Sequence, residues 1–492
     1  MADPLRRRLL RAGSLLPLAA AAGAPAAGAD AAVPPPPAGI GPDALARDEA
    51  WWAGVAALYD VERDPVPLEN GYWGIMARPV LDAYLRHTER VNREGAAFAR
   101  RAFPALYRDA LERAARALGI GAGELALTRN ATEALQALIG GYNRLRPGDA
   151  VLCADVDYDS MITAMRWLRQ RRGVEVVELA LPEPATHQGT IDAYARALER
   201  HPRLRMMLLT QVSHRHGLRL PVAEIAELAR RRGVDVILDA AHGVGQLDMR
   251  LADQGADFAG VNFHKWIGAP LGVGGLYVRA GRADAIDPYL GEPDPQGGAV
   301  QARVHTGTVN FAAFMALPDA LDLHEAIGAA RKQARLQYLA GRWLEAARAT
   351  GAYEVLAPED PRLRSAIASV RLRGRASAQD ARAGRPPARR LRHPGGRPRR
   401  PGLRRLRACH ARRVHRRRRG RPAGRGARRD RARGLGLARA ALRPRRAGGR
   451  TRSRSRWSRR RWRRGPRRGR GRAPRRCAAG TPARCGGPLA AA

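Results

Sequence analysis

Phe258-Ala259-Gly260-Val261-Asn262-Phe263-His264-Lys265-Trp266 is the stretch on which the reading of this chain turns. Its first four residues make a short buried strand, and polar groups gather where that strand runs out. Lys265 is one of only two lysines among 89 basic residues. Arginine stays charged inside a protein, whereas a lysine with a lowered pKa can attack a carbonyl and form a Schiff base. Taken alone, Lys265 reads as an ordinary surface lysine, so its neighbours decide.

Similar apolar runs fall at 151–154, 174–179, 205–210, 234–238 and 275–278. Amphipathic helical stretches separate them, at 132–145, 160–171 and 222–232. The last has Pro221 near its first position, arginines in its final turn and Gly233 as C-cap. Strands apolar on both faces, alternating with helices, predict an α/β fold with a mainly parallel sheet sandwiched by helices. Ligands of such sheets bind at the carboxyl ends of the strands, so the loops there should carry the chemistry. No internal repeat is evident.

Four of these loops hold unusual residues. Leu125-Ala126-Leu127 leads into Thr128-Arg129-Asn130-Ala131-Thr132-Glu133 at the start of a helix. Small and hydroxyl residues there make an anion site, although plain N-capping by Thr132 explains them too. Run 151–154 leads to Tyr158, which could stack on a flat ligand or be a structural tyrosine. Run 234–238 ends in Asp239-Ala240-Ala241-His242-Gly243. That aspartate could hold a ring N–H protonated or simply cap its loop. The fourth loop carries Asn262, His264 and Lys265, the lysine 26 residues after Asp239.

In this order the four loops resemble the class V aminotransferases, fold-type I pyridoxal-phosphate enzymes, and among them the isopenicillin N epimerase-like and cysteine desulfurase-like proteins. The resemblance runs over residues 68–372. It implies pyridoxal 5'-phosphate as cofactor, held by Lys265 through a Schiff base, with Asp239 on the pyridinium nitrogen. It implies that Tyr158 stacks on the ring, that Ala131 and Thr132 hold the phosphate, and that His242 reaches the ring oxygen. Asn262 and His264 would add phosphate or local contacts. Thr308, in His305-Thr306-Gly307-Thr308-Val309-Asn310, would reach the phosphate of a partner subunit, which implies a homodimer with shared sites. Asn70-Gly71-Tyr72-Trp73-Gly74 would cover the substrate entrance. The implied activity is transamination or epimerisation of a small amino acid-like substrate. Desulfuration would need a cysteine beyond the Gly-Thr segment, and residues 309–383 contain none. The arginine that clamps a substrate carboxylate in this family has no recognisable counterpart, so none is named.

The chain divides by composition. Its formal charge of +44 sits almost wholly in residues 384–492, which hold 42 arginines against the single acid Asp430. Residues 384–492 read as a disordered Arg/Pro/Gly-rich tail. One reading of this tail is a shifted reading frame of a GC-rich gene, since it lacks lysine and interrupts a helix start at Ser377. The other is a genuine tail that binds nucleic acid or an anionic surface on a catalytically impaired scaffold. Such binding should weaken steeply with salt and vanish when the tail is deleted. The four cysteines, Cys153, Cys409, Cys477 and Cys485, show no metal-ligand spacing. Residues 1–29 read as a twin-arginine signal peptide, from Leu5-Arg6-Arg7-Arg8-Leu9-Leu10-Arg11 and the apolar stretch after it. This predicts a periplasmic or secreted protein with no permanent membrane span. Residues 30–44 read as a Pro/Ala linker, 45–85 as an N-terminal segment, 86–310 as the large cofactor domain and 311–383 as a smaller α+β domain that is truncated.

Overall fold

The computed structural model describes residues 32–294, 297–304 and 307–374. The twin-arginine pattern, His305, Thr306, the helix start at Ser377, the tail and its three cysteines lie outside the described residues.

The chain begins with helices α1 (Pro42–Leu45), α2 (Glu49–Ala56), α3 (Arg78–Arg101) and α4 (Phe103–Leu118). There follow β1 (Leu125–Thr128), α5 (Ala131–Gly141), β2 (Ala150–Ala154), α6 (Asp159–Arg172), β3 (Glu175–Leu179), α7 (His187–Arg200) and β4 (Leu204–Thr210). The body closes with α8 (Val222–Arg231), β5 (Asp235–Asp239), β6 (Phe258–Asn262) and β7 (Gly274–Val278). Beyond it come α9 (Phe311–Met315), α10 (Leu317–Ile327), α11 (Ala329–Ala349) and the antiparallel pair β8 (Tyr353–Val355) and β9 (Val370–Leu372).

Seven strands form one sheet in the order β1-β7-β6-β5-β4-β2-β3. Pairings from β6 to β3 are parallel, and β7 runs antiparallel to both its neighbours. Both faces are buried, as alternation along each strand shows. Val236 and Leu238 join one apolar cluster while Ile237 joins the other. Likewise Leu152, Met207 and Leu209 face one side, and Val151, Met206 and Leu208 the other. Each such side chain contributes roughly 1.5–3 kcal/mol by leaving water, so a register slip on any central strand would be costly.

Three sequence expectations are corrected. The helix expected over 132–145 stops at Gly141, because Tyr142 turns to an extended backbone (ψ 114) and its hydroxyl donates to Asp235 Oδ2 at 2.7 Å. Pro221 stands just before the first helical residue of α8, as expected, but the C-cap is Arg232, with Gly233 (φ 66) following it. The Pro/Ala linker expected over 30–44 is in part packed and helical over its described residues. Pro34 accepts a hydrogen bond from the Trp51 indole, Val33 packs on the Leu45, Trp51 and Trp52 cluster, and α1 starts at Pro42.

Residues 361–369 dock on the loops after β4 and β5. Arg219 N donates to Leu363 O and Ala366 N to Gln246 Oε1. Gly217 (φ 72) lies so close to Ile367 O that a Cβ there would stand 1.7 Å from it. No described helix is long and apolar enough to cross a membrane.

Candidate active site

A cavity of about 430 Å³ opens at the carboxyl ends of the parallel strands. Ala131 and Thr132 line it at the start of α5, Tyr158 before α6, Asp239 at the end of β5 with His242 just beyond, and Asn262, His264 and Lys265 at the end of β6. Eight of the residues singled out in the sequence therefore meet in one place. Thr308 does not: it is exposed and absent from the lining of its own chain's cavity.

The amino end of α5 differs from expectation in its details. Asn130, not Thr132, caps the helix, its Oδ1 accepting from Glu133 N at 2.9 Å. Ala131 N is taken by Asn262 Oδ1 at 2.8 Å. Asn262 thus serves as a local tie between β6 and α5, and Ala131 contributes close backbone approach rather than a free donor. Thr132 is left as the first-turn residue suited to an anion. His264 Nδ1 is 3.0 Å from Val273 O, which orients the ring. Burial, with Lys265 nearby, lowers the His264 pKa. Its second nitrogen would donate to a phosphate only if that anion drew a proton onto the ring.

Asp239 is buried, and one oxygen accepts from Ala241 N at 3.0 Å. Burial raises its pKa, against the Ala241 N–H and the Lys265 charge. A cationic ring N–H brought beside it would reverse that shift. Burial lowers the Lys265 pKa to about 8, with Asp239 and Glu69 opposing. About a tenth of this amine is therefore uncharged at pH 7. Its Nζ lies 3.2 Å from His242 Nε2, and the Trp266 indole reaches His242 Nδ1 at 3.3 Å.

The N-terminal segment closes over this centre. Gly74 N donates to His264 O at 2.8 Å, and a Cβ on Gly74 would stand 1.9 Å from Lys265 O. Tyr72 from the same segment lines the cavity mouth.

Sequence reasoning passed over several lining residues. His214 stands edge-on to Tyr158, ring centroids 5.0 Å apart, four residues beyond the end of β4. The strand-end rule that finds Asp239 would have found it, had the loop after 205–210 been included. Thr210, Val212, Leu271 and Gly272 complete that wall and the rim. Arg129 is the one arginine in the lining among the described residues, and it is engaged with Glu133 through Nε–Oε1 at 3.0 Å. Asp157, next to Tyr158 in sequence, is fully buried, and burial pushes its pKa up to about 7. Cys153 is buried, with a thiol pushed up to about 12 by burial, so it is no nucleophile.

The donor set suits a phosphorylated, aldehyde-bearing aromatic ring. It combines an amine with a lowered pKa, a carboxylate at the end of a neighbouring strand, a helix start and an aromatic wall in one cavity. No group of three or more candidate metal ligands occurs among the described residues.

Residues 77–383 match the model of the aminotransferase class-V family. Isopenicillin N epimerase of Streptomyces clavuligerus is 30% identical over 339 residues, covering 65% of this chain and 84% of that protein. A probable cysteine desulfurase of Vibrio cholerae is 27% identical over 283 residues, covering 53% of this chain and 67% of that protein. Among solved structures, the cysteine desulfurase CsdA of Escherichia coli superposes with a TM-score of 0.57 at 22% identity, covering 66% of this chain and 83% of that one. That likeness shows a shared fold, the mainly parallel sheet flanked by helices described above.

Proposed function

This chain belongs to the aminotransferase class-V family, and from that premise we propose that it binds pyridoxal 5'-phosphate and works at the Cα or amino group of an amino acid-like substrate. The observation that carries the proposal is Lys265 Nζ, with its lowered pKa, in one cavity with Asp239, His242 and Thr132. When bound, the cofactor supplies an electron sink for charge developing at Cα. Lys265 would hold it covalently and, once displaced by the substrate amine, take the Cα proton as general base. Asp239 would keep the ring nitrogen protonated. Thr132 would hold the phosphate, Tyr158 would cover one ring face, and Tyr72 would shield the mouth from water.

Between epimerase, aminotransferase and desulfurase chemistry, we favour the first two. Residues 1–383 contain Cys153 as their single cysteine, and its buried, high-pKa thiol cannot accept sulfur. The identity to the epimerase of Streptomyces clavuligerus supports the same choice, although desulfurases are also relatives. In deuterium oxide, cofactor-supplied protein should exchange the Cα proton of at least one amino acid. Lys265→Ala should abolish that exchange. No exchange across a broad panel of L- and D-amino acids would refute the proposal. Inversion without a keto acid would mark an epimerase, and keto acid formation without release of ammonia an aminotransferase.

Two further parts of the proposal rest on sequence. Thr308 would serve the cavity of a second copy, giving a homodimer; a monomeric mass by light scattering of the cofactor-loaded protein would contradict it. Arg6 and Arg7 would direct twin-arginine export; export that survives their joint replacement by Lys would contradict that.

A further inference from the structure

We propose that Trp266 fixes the tautomer of His242 and thereby keeps Lys265 as the neutral amine that attack on a carbonyl requires. Indole N–H only donates. Trp266 Nε1 donates to His242 Nδ1 at 3.3 Å, so Nδ1 must present its lone pair. A neutral imidazole in that state carries its proton on Nε2. Nε2 lies 3.2 Å from Lys265 Nζ. An ammonium group has three donors and no acceptor, so it would set N–H against N–H across this contact. A neutral amine offers a lone pair and completes the bond.

The indole is held against turning away. Trp266 is buried, and its carbonyl accepts a hydrogen bond from Lys332 Nζ on α11. The second lysine of the chain therefore braces the turn that carries the first. Among the described residues, Asp239 at the end of β5 and Glu69 from the N-terminal segment favour the ammonium form, and His264 adjoins Lys265 in sequence. Burial and the His242 contact oppose the two carboxylates. Trp266 is on this account a positioning residue, acting on Lys265 through His242.

The cofactor-free full chain provides the test, so its outcome is separable from that of the cofactor proposal. Having two lysines, the chain permits each to be followed by pH-dependent acylation with acetic anhydride and peptide mass spectrometry. Trp266→Phe keeps the ring but removes the donor, which frees His242 to turn a lone pair toward Lys265. The labelling midpoint of Lys265 should then rise by about one pH unit, roughly a tenfold loss of labelling below it. The midpoint of Lys332, whose partner is a main-chain carbonyl, should not move. An unmoved Lys265, or both lysines moving together, would overturn the inference. A second measurement needs no variant: nitrogen NMR of the His242 ring should report the Nε2–H tautomer, and the Nδ1–H tautomer would overturn the inference equally.

Discussion

Lys265, Asp239, His242 and Tyr158 could be found from the sequence because each stands just past an apolar run, where a parallel sheet exposes its loops. What the sequence could not convey is how the polar atoms around them are spent. Ala131 looks like an anion donor until Asn262 is seen taking its N–H. Lys332 looks idle until its ammonium group is seen on the Trp266 carbonyl. Asp157 is another case, an acid that reads as a loop residue and proves fully buried. Its folded pKa of about 7 lies above the ordinary 3.8. The stability it contributes is therefore fully present below about pH 4 and is lost as pH rises through about 7. Asp157→Asn keeps an acceptor for the Ala154 N–H and removes the buried charge. At pH 8 we expect the variant to be more stable than the parent by about 1–3 kcal/mol, with the gap closing toward pH 4. Parallel melting-temperature profiles from pH 4 to 8 would contradict this reading.

At the scale of elements, hydrophobic periodicity located six strands of the main sheet to within a residue and missed β8. It failed where side chains set the ends: Tyr142 stops α5 by bonding Asp235, and Asn130 rather than Thr132 caps it. It also gave no sign that Val33 and Pro34 dock on α2, since the tryptophans they meet come later in the chain. The N-terminal segment makes a sharper demand. Gly74 passes over the Lys265 carbonyl at a distance that excludes any side chain. Gly74→Ala should leave the sheet folded, with its two apolar faces intact, and lift this segment from the site. We expect a loss of about 1–3 kcal/mol in stability and faster proteolysis within 68–76. A variant with parental melting temperature and cleavage rate would show that the segment does not rest on Lys265.

For the molecule as a whole, the alternation of apolar runs and helices predicted the layered α/β architecture but not the strand order. A buried strand reads the same in either direction, so the antiparallel β7, between β1 and β6, left no trace in the pattern. That order places β6 beside β5, which brings Lys265 next to Asp239 although 26 residues separate them. The central claim is that this juxtaposition holds pyridoxal phosphate through Lys265. Borohydride reduction of the cofactor-supplied full chain, followed by peptide mass spectrometry, tests it most directly. A pyridoxyl group on the Lys265 peptide, absent from Lys332 and lost in Lys265→Ala, is the predicted result. An unmodified Lys265 peptide, or label divided equally between the two lysines, would contradict it.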